Sequence, residues 1–301
     1  MASQQSVLAK DLMSMSLEEL MDIQVAIATR TPQKVREVPA AVTVLTGEDI
    51  RRSGATSIAE ALRMSPGVES QQINNNSWAV GIRGFNSYLN NKLLVLVDGR
   101  STYAPLFAGT YWDAVDTVLD DIQRIEIIRG PGASVWGANS MNGVVNIITK
   151  SAKDTQGTLA KVGYGSELQG LVAGRHGMQL GDNVFLRVFG KYSNTDHSEL
   201  RGGGEAFDEF SYGRGGFRLD WEPQETTQLT FQSDVYAIRE NNVFAVKPVG
   251  GMFPIPLRDI SHNRGGNLLG RLTKEMESGV TLSVQGYFDR SDRNSIVVND
   301  V

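Results

Sequence analysis

The chain has 301 residues, with 29 Lys and Arg against 34 Asp and Glu and a formal charge of −5. Neither half is basic: residues 1–150 hold 13 basic and 15 acidic side chains, and residues 151–301 hold 16 and 19. There is therefore no footprint for a nucleic-acid backbone. Cysteine is absent and only His176, His197 and His262 occur, which excludes disulfides, thiolate metal sites and an HExxH zinc centre.

No apolar run approaches the roughly 18 residues of a membrane helix. The longest lie near Leu93–Val97 and Val144–Ile148. Helical spans are excluded, but a transmembrane β-barrel, whose strands only alternate, is not. Glycine is uneven, with 11 in residues 1–150 and 21 in 151–301. Glycine weakens helices and is tolerated where strands approach closely, so the halves read as different kinds of structure.

Met1–Lys10 is polar and lacks an apolar core, so no complete signal peptide is expected in the chain. In Asp11–Gln24 the spacing of Leu12, Met15, Leu20 and Ile23 predicts a helix. An extended stretch with Pro32 and Pro39 follows. Ala41–Leu45 reads as a strand, and Thr46 as the N-cap of a helix over Gly47–Arg52 that stops at Ser53-Gly54. A second helix is capped by Thr56 or Ser57, presents Ile58, Ala61 and Leu62 inward, and ends at Ser65-Pro66-Gly67.

Gln71–Trp78 is a loop with three consecutive asparagines. Leu93–Val97 is a buried strand closed by the hairpin turn Asp98-Gly99. Arg100–Trp112 is a long loop carrying Tyr103, Phe107, Tyr111 and Trp112. Val115–Leu119 reads as a short helix, and Arg124–Arg129 and Gly143–Thr149 as strands. Aromatics gathered in loops serve either binding or loop packing.

The enzyme motifs fail. Gly132–Gly137 has the GxxxxG spacing, but Ala138-Asn139 stand where a phosphate loop needs Lys and Ser or Thr. Gly163-Tyr164-Gly165 lacks the third glycine of a dinucleotide turn. There is no GxSxG, and Asp120-Asp121 reads as a solvated cap. No catalytic residues and no metal ligands are assigned.

From Gly157 onward the period is two. Strands are expected near 158–165, 168–179, 183–196, 209–221, 227–240, 262–274 and 279–293. Leu229, Phe231, Val235 and Ala237 alternate with Thr230, Gln232 and Asp234. Phe217, Leu219 and Trp221 oppose Arg218 and Asp220. Leu282, Val284 and Phe288 alternate with Thr281, Ser283 and Gln285. Short turns at 181–183, 223–226 and 278–279 alternate with longer loops at 197–208 and 241–261. That asymmetry is the pattern of outer-membrane barrels. Tyr192, Trp221 and Tyr287 are candidate interfacial girdle residues. The competing reading is a soluble β-sandwich, whose strands usually run only about 5–6 residues.

A series of motifs stands in order along the first half. Val38-Pro39-Ala40-Ala41-Val42 leads to Thr46-Gly47-Glu48-Asp49-Ile50, then Ala59-Glu60-Ala61-Leu62 and Ser65-Pro66-Gly67-Val68. Ile82-Arg83-Gly84-Phe85, LVLVDG at 94–99, IEIIRGPG at 125–132, Trp136-Gly137-Ala138-Asn139 and GVVNIIT at 143–149 complete it. Over about residues 23–150 the series closely resembles the plug domain of TonB-dependent outer-membrane receptors. The second half resembles the start of that family's barrel by pattern alone.

The resemblance implies an α+β plug domain followed by antiparallel transmembrane β-barrel strands, with an N-terminal extension at 1–30, a plug at 31–150 and the first part of the barrel at 151–301. It implies no enzyme and no cofactor, but an outer-membrane receptor taking up a ferric siderophore, haem or a cobalamin-like ligand. TonB, with ExbB and ExbD, is the implied energising partner, and outer-membrane lipid the surroundings. Its contact segment is best sought at Ile23, Gln24, Val25, Ala26 and Ile27, where an extended backbone can add to a partner's sheet edge. A packing segment of the plug is the other reading of those residues. Arg83 and Arg129 match plug positions that face barrel glutamates in the family. The outward plug loops fall at about 71–79, 100–112 and 131–137, with Trp78, Tyr103, Phe107, Tyr111, Trp112 and Trp136 as ligand-binding candidates. The family's barrel has about 22 strands. Seven cannot close it, so a truncated or partial sequence is expected. A non-transporting surface-binding or signalling receptor of the same architecture is the alternative.

Overall fold

In the computed structural model the described residues are 24–25, 33–34, 40–88, 90–130, 136–246 and 255–294. The chain divides into two compact units. One is Met1–Gln71 with Trp78–Thr149, and the other is Gln72–Ser77 with Lys150–Val301. The expected helix over Asp11–Gln24 lies outside the described residues, apart from Gln24.

The first unit opens with a two-residue pair, β1 (Gln24–Val25) against β2 (Gln33–Lys34). Strand β3 (Ala41–Thr46) runs directly into helix α1 (Gly47–Ser53). Thr46 caps that helix in both directions: its hydroxyl accepts the Asp49 amide, and the Asp49 carboxylate accepts the Thr46 amide. Gly54 ends it at φ 75°. On its exposed side Glu48 takes hydrogen bonds from Arg51 and then Arg52, at 2.6 and 2.7 Å, which holds its pKa at about 2. Helix α2 (Ile58–Ala61) is capped by Ser57, the second of the two expected candidates.

Strands β4 (Val68–Gln72) and β5 (Trp78–Ile82) form a separate pair. Next come β6 (Leu93–Val97), β7 (Arg100–Ser101), β8 (Tyr103–Ala104), β9 (Gly109–Thr110), β10 (Ile122–Arg129) and β11 (Gly143–Thr149). The main sheet has the order β3-β10-β11-β6-β7, with β11 and β6 parallel and the other neighbours antiparallel. Its strands are apolar on both faces because both are covered. Leu93 and Val95 join the large core with Ile50, Ile58, Leu62 and Ile125, whereas Leu94 and Leu96 pack with Ile128 and Val144 on the other side.

The expected helix over Val115–Leu119 is not formed. Turns lead instead into a single 3₁₀ turn at Leu119–Asp121. Val115-Asp116-Thr117-Val118 is rich in β-branched residues that lose side-chain freedom in a helix. Local turns bury Val115, Val118 and Leu119 without one.

The second unit is one antiparallel sheet of seven strands in sequence order. They are β12 (Gly157–Gly163), β13 (Leu168–Gly181), β14 (Val184–Thr195), β15 (Phe210–Gln224), β16 (Thr227–Val246), β17 (Ile255–Glu275) and β18 (Thr281–Asn294). Several far exceed the strand lengths usual in a sandwich. The region 241–261, expected as loop, is largely ladder: Asn241–Val246 pairs residue by residue with Ile255–Ile260. Polar composition misleads there, because the exposed ends of a long hairpin need no apolar face.

Alternation is strict across the sheet. Leu171, Phe185, Arg187, Lys191, Tyr212, Arg218, Asp220 and Leu269 are buried on one face. The opposite face carries rows of exposed apolar side chains. One row is Val184–Trp221–Leu229–Leu272–Val284, and two residues along lies Leu186–Leu219–Phe231–Gly270–Gly286. Next come Val188–Phe217–Ser233–Leu268–Phe288, then Gly190–Gly215–Val235–Gly266 and Tyr192–Gly213–Ala237, which continue into charged residues, Arg290 in the fourth row and Arg264 with Asp292 in the fifth. The following row, Asn194–Ser211–Arg239–His262–Asn294, is polar. Five rows at two residues each span about 27 Å along the strands, or about 20 Å across them at a tilt of about 40°. That is close to the roughly 25 Å apolar band of a transmembrane barrel. Tyr192 and Trp221 sit at opposite margins of the band. Tyr287 does not: it stands opposite Leu269 on the other face, since only the even positions of β18 share the face of Phe288.

Candidate functional site

Tyr103 and Thr110 close a small hairpin, β8 against β9, whose tip is Pro105–Ala108. Ala108 adopts φ 54°, a left-handed value that a non-glycine residue takes only where the turn demands it. The turn sets Phe107 on Tyr111 as a stacked pair, centroids 4.0 Å apart, and Tyr88 meets Phe107 edge-on at 5.1 Å. Beside them Leu106 is 84 % exposed. Gly109 packs tightly on Asn90, where a Cβ would stand 3.1 Å from the Asn90 carbonyl oxygen. The Asn90 amide in turn donates to the Val80 and Phe85 carbonyls, fixing the base of the patch to β5.

The six aromatic candidates do not form one surface. Phe107 and Tyr111 lie together, and Tyr103 stands half-buried on the same hairpin. Trp112 is a core residue, 9 % exposed among Val115, Ile50 and Leu62. Trp78 packs against that core with Arg63 over its ring at 4.8 Å. Trp136 packs against Leu94, Ile128 and Val144, and residues 131–135 of its loop lie outside the described residues. Tyr88 was not singled out from the sequence. No local pattern marks it, and only the fold brings it to Phe107.

Arg83 and Arg129 are brought together. Arg83 sits at φ 62°, before Gly84 at φ 77°, and its Nη2 donates to the Arg129 carbonyl at 3.4 Å. Arg129 lies along Gly67, where a Cβ would stand 3.1 Å from its Nη1. Of the candidate partner-contact segment, Gln24 and Val25 pair with Lys34 and Gln33, whereas Ile23, Ala26 and Ile27 lie outside the described residues.

Two clusters in the second unit escaped sequence reasoning. The first involves the asparagine-rich segment 72–77, which clusters with the strand unit. The Asn75 amide donates to the Asp196 carbonyl at 2.6 Å, and its backbone N–H to Asp208 at 3.3 Å. The Asn76 amide donates to the Asn241 carbonyl at 3.0 Å. Asp208 also takes the Ser198 amide and hydroxyl, so one carboxylate ties the two ends of the 196–209 connection together.

The second cluster clamps Lys150–Gln156 to the buried face of the sheet. Asp220, fully buried, accepts the Ala152 amide at 2.7 Å, Arg218 Nε at 2.9 Å and the Thr230 hydroxyl at 2.7 Å. Arg187 donates to the Lys150 carbonyl, Arg175 to the Thr155 carbonyl, and Lys153 pairs with Glu222 at 2.7 Å. Gly177 is required beneath this segment, because a Cβ there would overlap the Thr155 carbonyl.

A five-stranded mixed unit, followed by a long antiparallel sheet with a banded apolar face, is the architecture of a plug domain joined to strands of an unclosed barrel. Residues 34–144 match the model of the TonB-dependent receptor plug domain. The vitamin B12 transporter BtuB of Vibrio vulnificus is 30% identical over 182 residues, which are 60% of this chain and 29% of that protein. The chain thus spans less than a third of that relative's length. The ferripyoverdine receptor of the Pseudomonas aeruginosa outer membrane superposes with a TM-score of 0.66 at 17% identity, covering 90% of this chain and 37% of its own. The ferric enterobactin receptor PfeA of the same organism gives 0.59 at 21% identity, covering 84% and 41%. Residues 34–144 therefore carry a plug domain of the TonB-dependent receptor type.

Proposed function

We propose that the protein takes up a scarce solute across the outer membrane, energised by TonB with ExbB and ExbD. Residues 31–150 serve as the plug and residues from 151 onward as strands of the barrel. The observation that carries this reading is the plug-domain match joined to a sheet whose apolar rows make a band of membrane thickness. The solute is of the ferric siderophore, haem or cobalamin-like class, as the names of the relatives support. Within the plug, Phe107, Tyr111 and Tyr88, with Leu106 at the hairpin tip, form the platform suited to a bulky, partly planar ligand. The stretch Ile23–Ile27 is the segment proposed to pair with TonB, and Arg83 with Arg129 the charged lock that holds the plug.

The test is growth of a strain lacking its own receptors, supplied with the full-length gene, under iron limitation and separately under cobalamin limitation. Rescue that disappears when TonB is deleted is expected under one of the two. Rescue that persists without TonB, or binding at the cell surface without accumulation inside, overturns the transport reading.

A further inference from the structure

The first unit ends at Thr149 and the second continues from Lys150, and the peptide link between them is gripped on both sides. On the N-terminal side Asp98 accepts the Thr149 amide at 2.9 Å and its hydroxyl at 2.8 Å. On the C-terminal side Arg187 donates to the Lys150 carbonyl at 3.0 Å, and Asp220 accepts the Ala152 amide. Each grip stays within its own unit. The two are unequal. Beyond the ladder with β10, Asp98 holds one residue from one turn. Lys150–Gln156 is held from three strands, by Arg175 on β13, Arg187 on β14, and Asp220 with Glu222 on β15. All three strands have a neighbour on both sides.

The held segment is also bonded to itself. A 3₁₀ turn forms at Lys153–Thr155. The Ser151 hydroxyl donates to the Asp154 carboxylate at 2.8 Å and accepts its amide at 3.0 Å. The Thr155 hydroxyl donates to the Ser151 carbonyl at 2.8 Å, and the Gln156 amide to the Ala152 carbonyl at 2.6 Å. Ala152 and Thr155 are fully buried, and Gly177 leaves room for the Thr155 carbonyl. The segment therefore moves as one body, and its bonds to the three strands must be broken together rather than one after another. Those from Arg175, Arg187 and Asp220 are charge-assisted, and so about twice as strong as neutral ones. The exposed Lys153–Glu222 pair adds little.

We infer that Lys150–Gln156 is a force stop. It lets the first unit be drawn open as far as Thr149 while β12 and the strands after it stay folded. Cooperative units open separately where the contacts between successive stretches of chain change hands, as they do at this link. β12 is the element at risk, because it starts at Gly157, directly after the segment, and pairs with β13. Without the stop, a pull arriving through Thr149 would peel β12 away next. The inference rests on the uptake reading above, in which the chain is drawn from Ile23–Ile27.

The test is single-molecule pulling on the full-length protein, immobilised by its C-terminus and drawn by a tether on Ala26→Cys. Extension of the parent should arrest at about 420 Å, the reach of residues 27–149 drawn out straight. In Arg187→Gln/Asp220→Asn the arrest should be lost, with extension running on by about 50 Å as residues 150–163 follow. Gly177→Ala should do the same without touching a charge, because its Cβ would displace the Thr155 carbonyl. Asp98→Asn, a residue type that tolerates the φ of 49° there, should keep the arrest and lower only the force of the step before it. Heat-dependent gel mobility reports folding of each variant. A parent trace that passes about 420 Å without arrest overturns the inference, whichever variants fold. So does an arrest kept by both folded segment variants. Since the instrument supplies the pull, a growth rescue that does not need TonB would count against the uptake reading alone.

Discussion

Asp220 accepts the backbone N–H of Ala152 at 2.7 Å, across 68 residues of sequence and at a fully buried position. The same carboxylate balances Arg218, whose side chain is itself buried. One charge therefore anchors the segment 150–156 and neutralises a guanidinium inside the sheet's polar face. Removing one partner of a buried pair strands the other. Asp220→Ala is expected to destabilise the second unit by about 3 kcal/mol. It should also expose Lys150 and Lys153 to trypsin at rates well above the parent. Asp220→Asn keeps an acceptor for Ala152 but loses the charge, and should cost stability with less gain in cleavage. Unchanged proteolysis in both variants would show that the segment is held by Arg175, Arg187 and Lys153 without Asp220.

Among the aromatic residues, packing and binding separate by burial. Phe107 and Tyr111 stack on a hairpin whose tip is open, whereas Trp112 lies within the main core of the first unit. Phe107→Ala and Tyr111→Ala should weaken binding of the cognate ligand about tenfold each, near the worth of one good aromatic contact, with little change in unfolding temperature. Trp112→Ala should do the reverse, costing about 3–5 kcal/mol of stability through the cavity it leaves. Calorimetric binding paired with thermal unfolding of the same three variants distinguishes the two roles. A binding loss confined to Trp112→Ala would remove the hairpin from the ligand site.

How much of this was legible in the sequence depends on the range of the interaction. The capping of α1 by Thr46, the turn at Asp98-Gly99 and the alternation of β15–β18 all follow from near neighbours, and motif order alone identified the plug. Asp98 and Gly99 do take positive φ, 49° and 81°, as a tight hairpin requires. Strand ends were less accessible, because Asn241–Val246 and Ile255–Ile260 support each other only as a pair. Contacts across long separations left no local mark. Neither the Asn75 bond to Asp196 nor the meeting of Tyr88 with Phe107 has a spacing rule, since each depends on where distant turns deliver the chain.

The asparagine segment should behave as a latch within the second unit. Asn75 and Asp208 form one coupled element with Ser198, so their deletions should not add. In a double-mutant cycle of Asn75→Ala and Asp208→Ala, a coupling of about 1 kcal/mol is expected. Hydrogen exchange should rise together in 72–77 and 196–209 for either single variant. Independent exchange of the two stretches would mean that the bonds form without holding the loops.

The exposed end of α1 gives a pH dependence with a defined sign. Hydrogen bonds from Arg51 and then Arg52 hold the Glu48 carboxyl at about 2, against an ordinary value of 4.5. Because the folded value is the lower one, the contribution to stability is fully present above pH 4.5. It is lost as the pH falls through about 2. Neutral and mildly acidic conditions should leave it untouched. Carboxyl resonances followed by NMR should give a Glu48 midpoint near 2 in the parent, rising toward 4.5 in Arg51→Gln/Arg52→Gln. Since all three side chains face water, added salt should raise the parent midpoint as well. A midpoint already near 4.5 in the parent at low salt would show that solvent competes successfully for these arginines. The cap at Thr46 and Asp49 would then be left as the element that fixes the start of the helix.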